Sequence, residues 1–449
     1  MIKKSKKLIA MGLLSTIAAA YLFGNFAEAK TNKNQSTAKD KLEAYIKFTQ
    51  ILNVIEQQYV DDVNTSALID KALKGLMTNL DAHSAYMDAK DYKDLNVQTK
   101  GEFGGLGISV GMKEGALTVI APLDGTPAFK AGVKAGDIIL KINDKATLGM
   151  NIDEAVKLMR GKPGTDIQLT LIREKEPKPV IVQMKRAIIQ IQSVYAKNIE
   201  TDDQVLYLGI TSFDQKVVDN VKKAIKDHPK TEGIILDLRN NPGGLLDQAV
   251  GLVDLFVDKG VIVSQKGKTK EENISYEANK ENTDTTTPIV VIVNGGSASA
   301  SEIVSGALQD FKRSVTVGEN TFGKGSVQIV LPVGKDEALK LTVARYYLPS
   351  GRTIQAVGVK PDIIVHFGKI EKDDSEALLK ESELKKHLTS ELEKIEPSKS
   401  KNTNASSQEN NETKADPTLI TEEQLYNDAQ LKSSVDILKA LIITNKGKK

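Results

Sequence analysis

The chain has 449 residues, too many for one hydrophobic core, and predicts two or three domains. Its 40% hydrophobic and 27% charged residues are an ordinary soluble balance, and a formal net charge of +2 without a basic stripe argues against a nucleic-acid partner. The absence of cysteine removes disulfides and thiolate metal sites together and suits a compartment outside the cytoplasm.

Lys3, Lys4, Lys6 and Lys7 precede an apolar run from Leu8 to Phe26, and Ala27-Glu28-Ala29 follows. A basic start, an apolar middle and a small-x-small end predict a secretory signal peptide over 1–29. The run approaches the ~20 residues of a bilayer span, so an uncleaved membrane anchor is the alternative. Ser15, Thr16, Gly24 and Asn25 make it a mediocre permanent span. In either case the remainder is exported.

Residues 30–95 form a helical region. Phe48, Ile51, Leu52, Ile55 and Tyr59 fall at helical spacing, and a second amphipathic run covers Ala67 to Leu80. The stretch from Asp81 to Tyr86 then breaks the helical pattern. His83 in that break reads as a structural hydrogen-bonding residue rather than a catalytic one.

From 96 to 188 the texture changes to short β-type runs and glycine turns. Phe103-Gly104-Gly105-Leu106-Gly107-Ile108 leads into a strand, Thr126-Pro127-Ala128 opens a short helix, and Gly136-Asp137-Ile138-Ile139-Leu140 starts another strand. This order resembles a PDZ domain of the bacterial protease-associated kind, with a β-sandwich-like form. The resemblance implies capture of a protein C-terminus as an added strand, its carboxylate held at Gly105, Leu106, Gly107 and Ile108. Small residues there let a carboxylate approach bare backbone.

Residues 189–370 alternate helices with apolar strands such as Gly233–Leu238 and Pro288–Val293, the pattern of an α/β layer with active residues at strand ends. Val293 runs into Asn294-Gly295-Gly296-Ser297-Ala298-Ser299-Ala300-Ser301-Glu302. Ser299 with Glu302 fits a capping box, and a nucleophile at a helix N-terminus has the same look. Lys324 lies between Gly323 and Gly325, where the chain can bend a side chain inward. A desolvated lysine loses its proton more readily and can act as base to a serine. Gln328 is a neutral amide placed to orient that lysine. Residues 371–414 read as a charged and disordered linker, and 415–449 as a helical segment that docks back or pairs with another subunit.

Taken together, Ser-Ala-Ser-Ala-Ser-Glu, Thr-Phe-Gly-Lys-Gly, Asp237-Leu238-Arg239-Asn240-Asn241-Pro242-Gly243-Gly244, the PDZ segment and Tyr346-Tyr347-Leu348-Pro349-Ser350-Gly351-Arg352 resemble the carboxyl-terminal processing peptidases, also called tail-specific proteases. The resemblance spans about 40–370. It implies a multidomain α/β protein with a crotonase-like core, Ser299 as nucleophile, Lys324 as general base and Gln328 behind it. It also implies an oxyanion hole from the N–H groups of Gly244 and Ala300. Asp310 matches an aspartate sometimes given a supporting role, and a helix-terminal surface acid is the equal alternative. Arg160 matches a PDZ arginine implicated in sensing bound peptide, and pairing with a helix end is the equal alternative.

The expectation is therefore a periplasmic serine endopeptidase that takes unstructured, apolar protein C-termini, with no metal or cofactor. A homo-oligomer and an adaptor or activator belong to the same expectation. One rival is a non-catalytic PDZ scaffold, which has no need of a lysine between glycines. A crotonase-type acyl-transfer enzyme is the other, and the leader and the PDZ segment contradict its cytoplasmic, coenzyme-A-binding character.

Overall fold

The structure, a computed structural model, describes residues 37–371 and 416–446 except 124 and 282. The leader read over 1–29 and, residue 371 apart, the linker read over 371–414 lie outside the described residues. The chain divides into two compact units, 1–76 and 77–449. In the first, α1 (Ala38–Gln58) starts at Thr37, whose hydroxyl takes the Asp40 N–H at 3.2 Å while the Asp40 carboxylate takes the Thr37 N–H at 2.8 Å. None of its residues is buried, and Leu42, Tyr45, Phe48, Ile51 and Val54 are exposed. Helix α2 (Thr65–Thr78) begins in this unit.

In the second unit, Asp81 stops the helical run. Its Oδ1 accepts the N–H groups of His83 at 2.7 Å and Ser84 at 2.8 Å, an Asx-type turn that competes with helix. Residues 85–87, inside the stretch read as helical, form strand β1 (Ala85–Met87) because Tyr86 and Met87 find a buried place. Helix α3 (Ala89–Lys100) follows.

The PDZ segment comprises β2 (Glu102–Gly105), β3 (Ile108–Lys113), β4 (Ala116–Pro122), α4 (Pro127–Lys130), β5 (Ile138–Ile142), β6 (Lys145–Ala146), α5 (Ile152–Met159), β7 (Asp166–Ile172), β8 (Val180–Lys185) and β9 (Ala187–Gln190). Its sheet runs β3-β4-β5-β7-β8, with β6 on β5, and β2 pairs with β9. Leu117, Val119, Ile139, Leu169 and Leu171 alternate inward onto Ala128 of α4 and Ala155 of α5, making a core of its own. Among the described residues, strand β3 pairs only with β4, which leaves its other edge open on the side of α5.

The larger core holds β10 (Val194–Ile199), β11 (Asp202–Ile210), α6 (Val217–Asp227), β12 (Gly233–Asp237), α7 (Leu246–Asp254), β13 (Val261–Gly267), β14 (Ile274–Glu277), β15 (Ile289–Val293), α8 (Ala300–Asp310), β16 (Ser314–Gly318), β17 (Ser326–Val333), β18 (Glu337–Tyr347) and β19 (Ile363–Ile364). The C-terminal segment adds β20 (Leu419–Ile420), α9 (Glu422–Tyr426) and α10 (Ala429–Lys446). A seven-stranded sheet runs β19-β16-β15-β12-β11-β10-β20, with β11, β12, β15, β16 and β19 mutually parallel.

Every residue of β12 and β15 is buried, which is why both read as continuous apolar runs. Alternate residues serve two faces. Leu236, Val291 and Val293 meet Leu252 of α7 and Ile303 and Val304 of α8, whereas Ile235, Val290 and Ile292 meet Leu431, Val435 and Leu438 of α10. The C-terminal segment thus docks back on the sheet. A second sheet, β1-β18-β13-β14 with β17 on β18, lies beside the catalytic candidates in sequence and carries Gln328.

Candidate active site

Strand β15 delivers the serine turn to the start of α8, and its three serines have different fates. Ser297 Oγ donates to Leu238 O at 2.8 Å and Ser301 Oγ to Asn241 O at 2.9 Å, both side chains fully buried. These two stitch the turn to the Asp237–Gly244 loop. Ser299, between them, is half-buried, with φ 54° and ψ −111°. A non-glycine residue held there costs roughly 1–3 kcal/mol and persists only where its surroundings enforce it.

The Asn240–Gly244 loop supplies part of that enforcement. Asn241 donates its side-chain amide to Ile210 O at 2.8 Å and accepts the Gly243 N–H at 2.9 Å, while its carbonyl takes the Ala298 N–H at 2.9 Å. Gly243 and Gly244 have φ of 100° and 150°. A Cβ on Gly243 would sit 2.9 Å from both the Ala300 nitrogen and Ser299 Cβ, so only glycine leaves the space in front of that N–H clear. The Gly244 side of the loop is fastened to Phe213, which accepts the Leu245 N–H at 2.8 Å.

Glu302, fully buried, supplies the rest. Its Oε1 accepts the Thr321 hydroxyl at 2.5 Å and the Gly323 N–H at 2.7 Å, and its Oε2 accepts the N–H groups of Ser299 and Lys324, each at 2.8 Å. One carboxylate therefore gathers the turn of the serine and the loop of the lysine. Their two backbone nitrogens lie no further apart than two such bonds allow. The Lys324 amine is half-buried. Burial, and next the charge of Lys340, push its pKa below the ordinary lysine value, while Glu302 pulls it the other way. Ser299 thus sits on a strained strand-to-helix turn, and the Lys324 amine is biased toward its neutral form.

Gln328 donates Nε2 to Ser326 Oγ at 2.9 Å and to Thr342 Oγ1 at 3.2 Å. A cavity of about 360 Å³ opens there, lined by Asp81, His83, Lys266, Ser326, Thr342 and Gln355 among others. His83 holds its backbone in the Asp81 turn. Burial and the Lys324 charge lower its imidazole pKa, and Asp81 opposes them. A larger cavity of about 700 Å³, between the sheet and the C-terminal segment, is lined by Tyr207, Asn240, Asn294 and Phe367 but not by Ser299 or Lys324.

Asp310 is not brought to this site. It ends α8, where its carboxylate accepts the Ser350 N–H at 3.0 Å and pairs with Arg352 at 3.0 Å. Eleven residues along a helix put it roughly 16 Å from Ser299. In the PDZ domain, Leu106 is buried with its carbonyl taken by Ala128, while the Gly107 carbonyl takes the Leu123 N–H. Gly105 ends β2, Ile108 starts β3, and Arg160 follows α5 with its guanidinium 3.4 Å from Asp94 and over the Phe103 ring at 4.7 Å. The role of Glu302 as a junction was missed by the capping-box reading, which accounts for one of its four bonds. The available signal was an acid set among Ile303, Val304, Ala307 and Leu308, where only a fully bonded carboxylate can be buried. No group of three or more metal-ligating side chains occurs among the described residues.

Comparison with known proteins identifies the family. Residues 204–365 match peptidase family S41, 104–184 match a PDZ domain, and 10–91 match the N-terminal domain of the activating protease CtpB. A carboxy-terminal-processing protease of Bartonella bacilliformis is 43% identical over 370 residues, which cover 81% of this chain and 84% of that one. The carboxy-terminal processing protease CtpA of Bacillus subtilis is 35% identical over 368 residues, covering 80% and 77%. Among solved structures, a photosystem II D1 C-terminal processing protease aligns at 27% identity and a TM-score of 0.41 over 72% of this chain and 92% of that chain. The chain belongs to the carboxy-terminal processing proteases, serine peptidases of family S41 with a PDZ domain.

Proposed function

We propose that this protein is an exported endopeptidase that captures unstructured, apolar protein C-termini at its PDZ domain and cuts the chain with a Ser299–Lys324 dyad. The observation that carries the reading is Glu302, which gathers the serine turn and the lysine loop on one buried carboxylate. Neutral Lys324 Nζ takes the proton of Ser299 Oγ as that oxygen attacks the peptide carbonyl. The oxyanion is received by the N–H groups of Gly244 and Ala300, neither of which is spent on a backbone carbonyl among the described residues. Lys324 then passes its proton to the leaving amine, and water repeats the cycle on the acyl-enzyme. Gln328 is the amide that positions Lys324.

Tail capture rests on the open edge of β3 beside α5, to which an extended C-terminus adds as a strand, with its carboxylate at the Gly105–Ile108 turn and Arg160 as the sensing residue. Export to a periplasm rests on the basic and apolar leader of 1–29. A homo-oligomer is supported by the apolar side chains exposed along α1, and an adaptor or activator fits as the agent that presents tails. The crotonase-type reading of the core rests on its parallel strands and helices.

Purified protein incubated with an unfolded, apolar-tailed substrate tests the dyad. Ser299→Ala and Lys324→Ala should each lower kcat on the order of 10⁴- to 10⁶-fold with tail binding intact. Full activity of Lys324→Ala, or a loss on Ser301→Ala but not on Ser299→Ala, overturns the assignment.

A further inference from the structure

The Gln328 side chain ends a chain of hydrogen bonds that begins 247 positions earlier in the sequence, at the Asp81 turn. The Thr342 hydroxyl accepts from Gln328 Nε2 at 3.2 Å and donates to Asp81 Oδ1 at 3.2 Å. Ser84 Oγ donates to Asp81 Oδ2 at 2.6 Å and accepts the Thr342 N–H at 3.1 Å, and β1 pairs with β18 just beyond. Asp81 is the sink of all these bonds. Burial works to raise its pKa, but the bonds from Ser84, His83 and Thr342 outweigh that and bring it to about 2, so the group is a carboxylate at any working pH.

A carboxylate can only accept. It therefore compels the Thr342 hydroxyl to spend its proton on Asp81 and to offer Gln328 a lone pair. Facing a lone pair at Thr342 and another at Ser326, the amide must present its nitrogen to both. Its oxygen then faces away, and it accepts no hydrogen bond among the described residues. An ammonium can only donate, so a free amide oxygen is the end of Gln328 that serves Lys324.

We infer that Asp81 is a positioning residue: through Thr342 it sets which way round the Gln328 amide stands, and so holds its oxygen available to the Lys324 ammonium formed in each cycle. The inference rests on the reading of Gln328 given above. Without an anionic acceptor at 81, the Thr342 hydroxyl is free to turn its proton toward the amide, the amide flips, and its N–H₂ group meets the amine. A flipped amide occupies the lone pair that the base needs.

Steady-state kinetics on the full chain test this. Asp81→Ala and Thr342→Val should each lower kcat about tenfold or more while KM stays within about twofold, and Thr342→Ser should restore kcat to within about twofold. Introduced into Gln328→Ala, Asp81→Ala should cause no further loss, because its effect passes through that amide. Multiplying losses in the double variant overturn the inference, as does full kcat in both Asp81→Ala and Thr342→Val while Gln328→Ala is impaired. That second result leaves the dyad and Gln328 standing. Full activity of Gln328→Ala instead removes the role of Gln328 and the relay with it. Should Asp81→Ala lose its fold with its turn, the Thr342→Val and Thr342→Ser pair decides, since both leave the Asp81 turn to His83 and Ser84 intact.

Discussion

Around Ser299 one buried carboxylate collects four donors from two loops, and the flanking serines are buried and bonded. Around Arg160 the contacts are of another kind: a partly exposed guanidinium 3.4 Å from a partly exposed Asp94, and a ring face at Phe103. Lys216 and Glu102, half-buried at 2.6 Å, form a second tie between the PDZ entrance and the core. Buried, charge-assisted bonds hold geometry at a cost of several kcal/mol to break, whereas exposed pairs contribute about 0–1 kcal/mol. The turn of Ser299 and the loop of Lys324 are thus fixed by buried bonds, whereas the ties at Arg160 and Lys216 are partly exposed and weaker.

The strongest way to break this contrast is Glu302→Ala. Removing a buried acceptor of four bonds should cost roughly 3–5 kcal/mol in denaturant unfolding, and kcat should fall on the order of 10³-fold or more as both loops lose their common anchor. If activity and unfolding free energy both survive, the two regions do not differ as argued.

A second change acts on the proton rather than the scaffold. The proposed dyad requires a neutral Lys324, so kcat should rise with pH through a limb below the ordinary lysine pKa of 10.5. Lys340→Gln removes a like charge that depresses this pKa and should move the limb to higher pH. The same depression has a sign for stability. Between the folded and unfolded pKa values the unfolded chain binds more protons, so the stability contributed by this group rises with pH through that window and is complete above the unfolded value. Lys324→Met should therefore unfold at higher denaturant than the wild type at neutral pH while being inactive. A limb that stays put in Lys340→Gln would remove this charge from the account.

Arg160→Ala tests the looser region. Stability should change by less than about 1 kcal/mol, while turnover of tailed substrates falls and that of tail-less peptides is unaffected. The smallest effect is expected at Asp310. Asp310→Asn weakens its hold on Ser350 and Arg352 at the far end of α8 and should cost about 1 kcal/mol with kcat unchanged. A large loss of kcat there would tie the two ends of α8 together in catalysis.

How much of this was legible in the residues depends on sequence distance. Ile289–Val293 announces a buried strand, and three serines before an apolar helix announce a functional turn, because both signals are local. The difference among the serines is not local. It arises from Leu238 and Asn241, some 60 positions upstream, which take the hydroxyls of Ser297 and Ser301. Glu302 looks like a cap because its bond to Ser299 is three residues long, whereas its partners at Thr321, Gly323 and Lys324 lie 19 to 22 residues on. Strand β1 is too short to carry a period, and Thr342 has nothing to mark it among neighbouring strand residues. The helix of the C-terminal segment was readable from its apolar spacing, but the sheet face it covers was not.

That docked helix bears on the order in which the protein is made. Alternate residues of β12 and β15 wait for Leu431, Val435 and Leu438, and Arg239, at the root of the glycine loop, bonds Asp428 at 2.9 Å. During synthesis these partners leave the ribosome more than 100 residues after β15, so one face of the sheet stays wet until then. The cutting machinery is consequently completed late, and a chain stopped before Ala429 should remain unfolded and inactive. The last helix to be synthesised is thereby the one that closes the sheet on which the glycine loop is built.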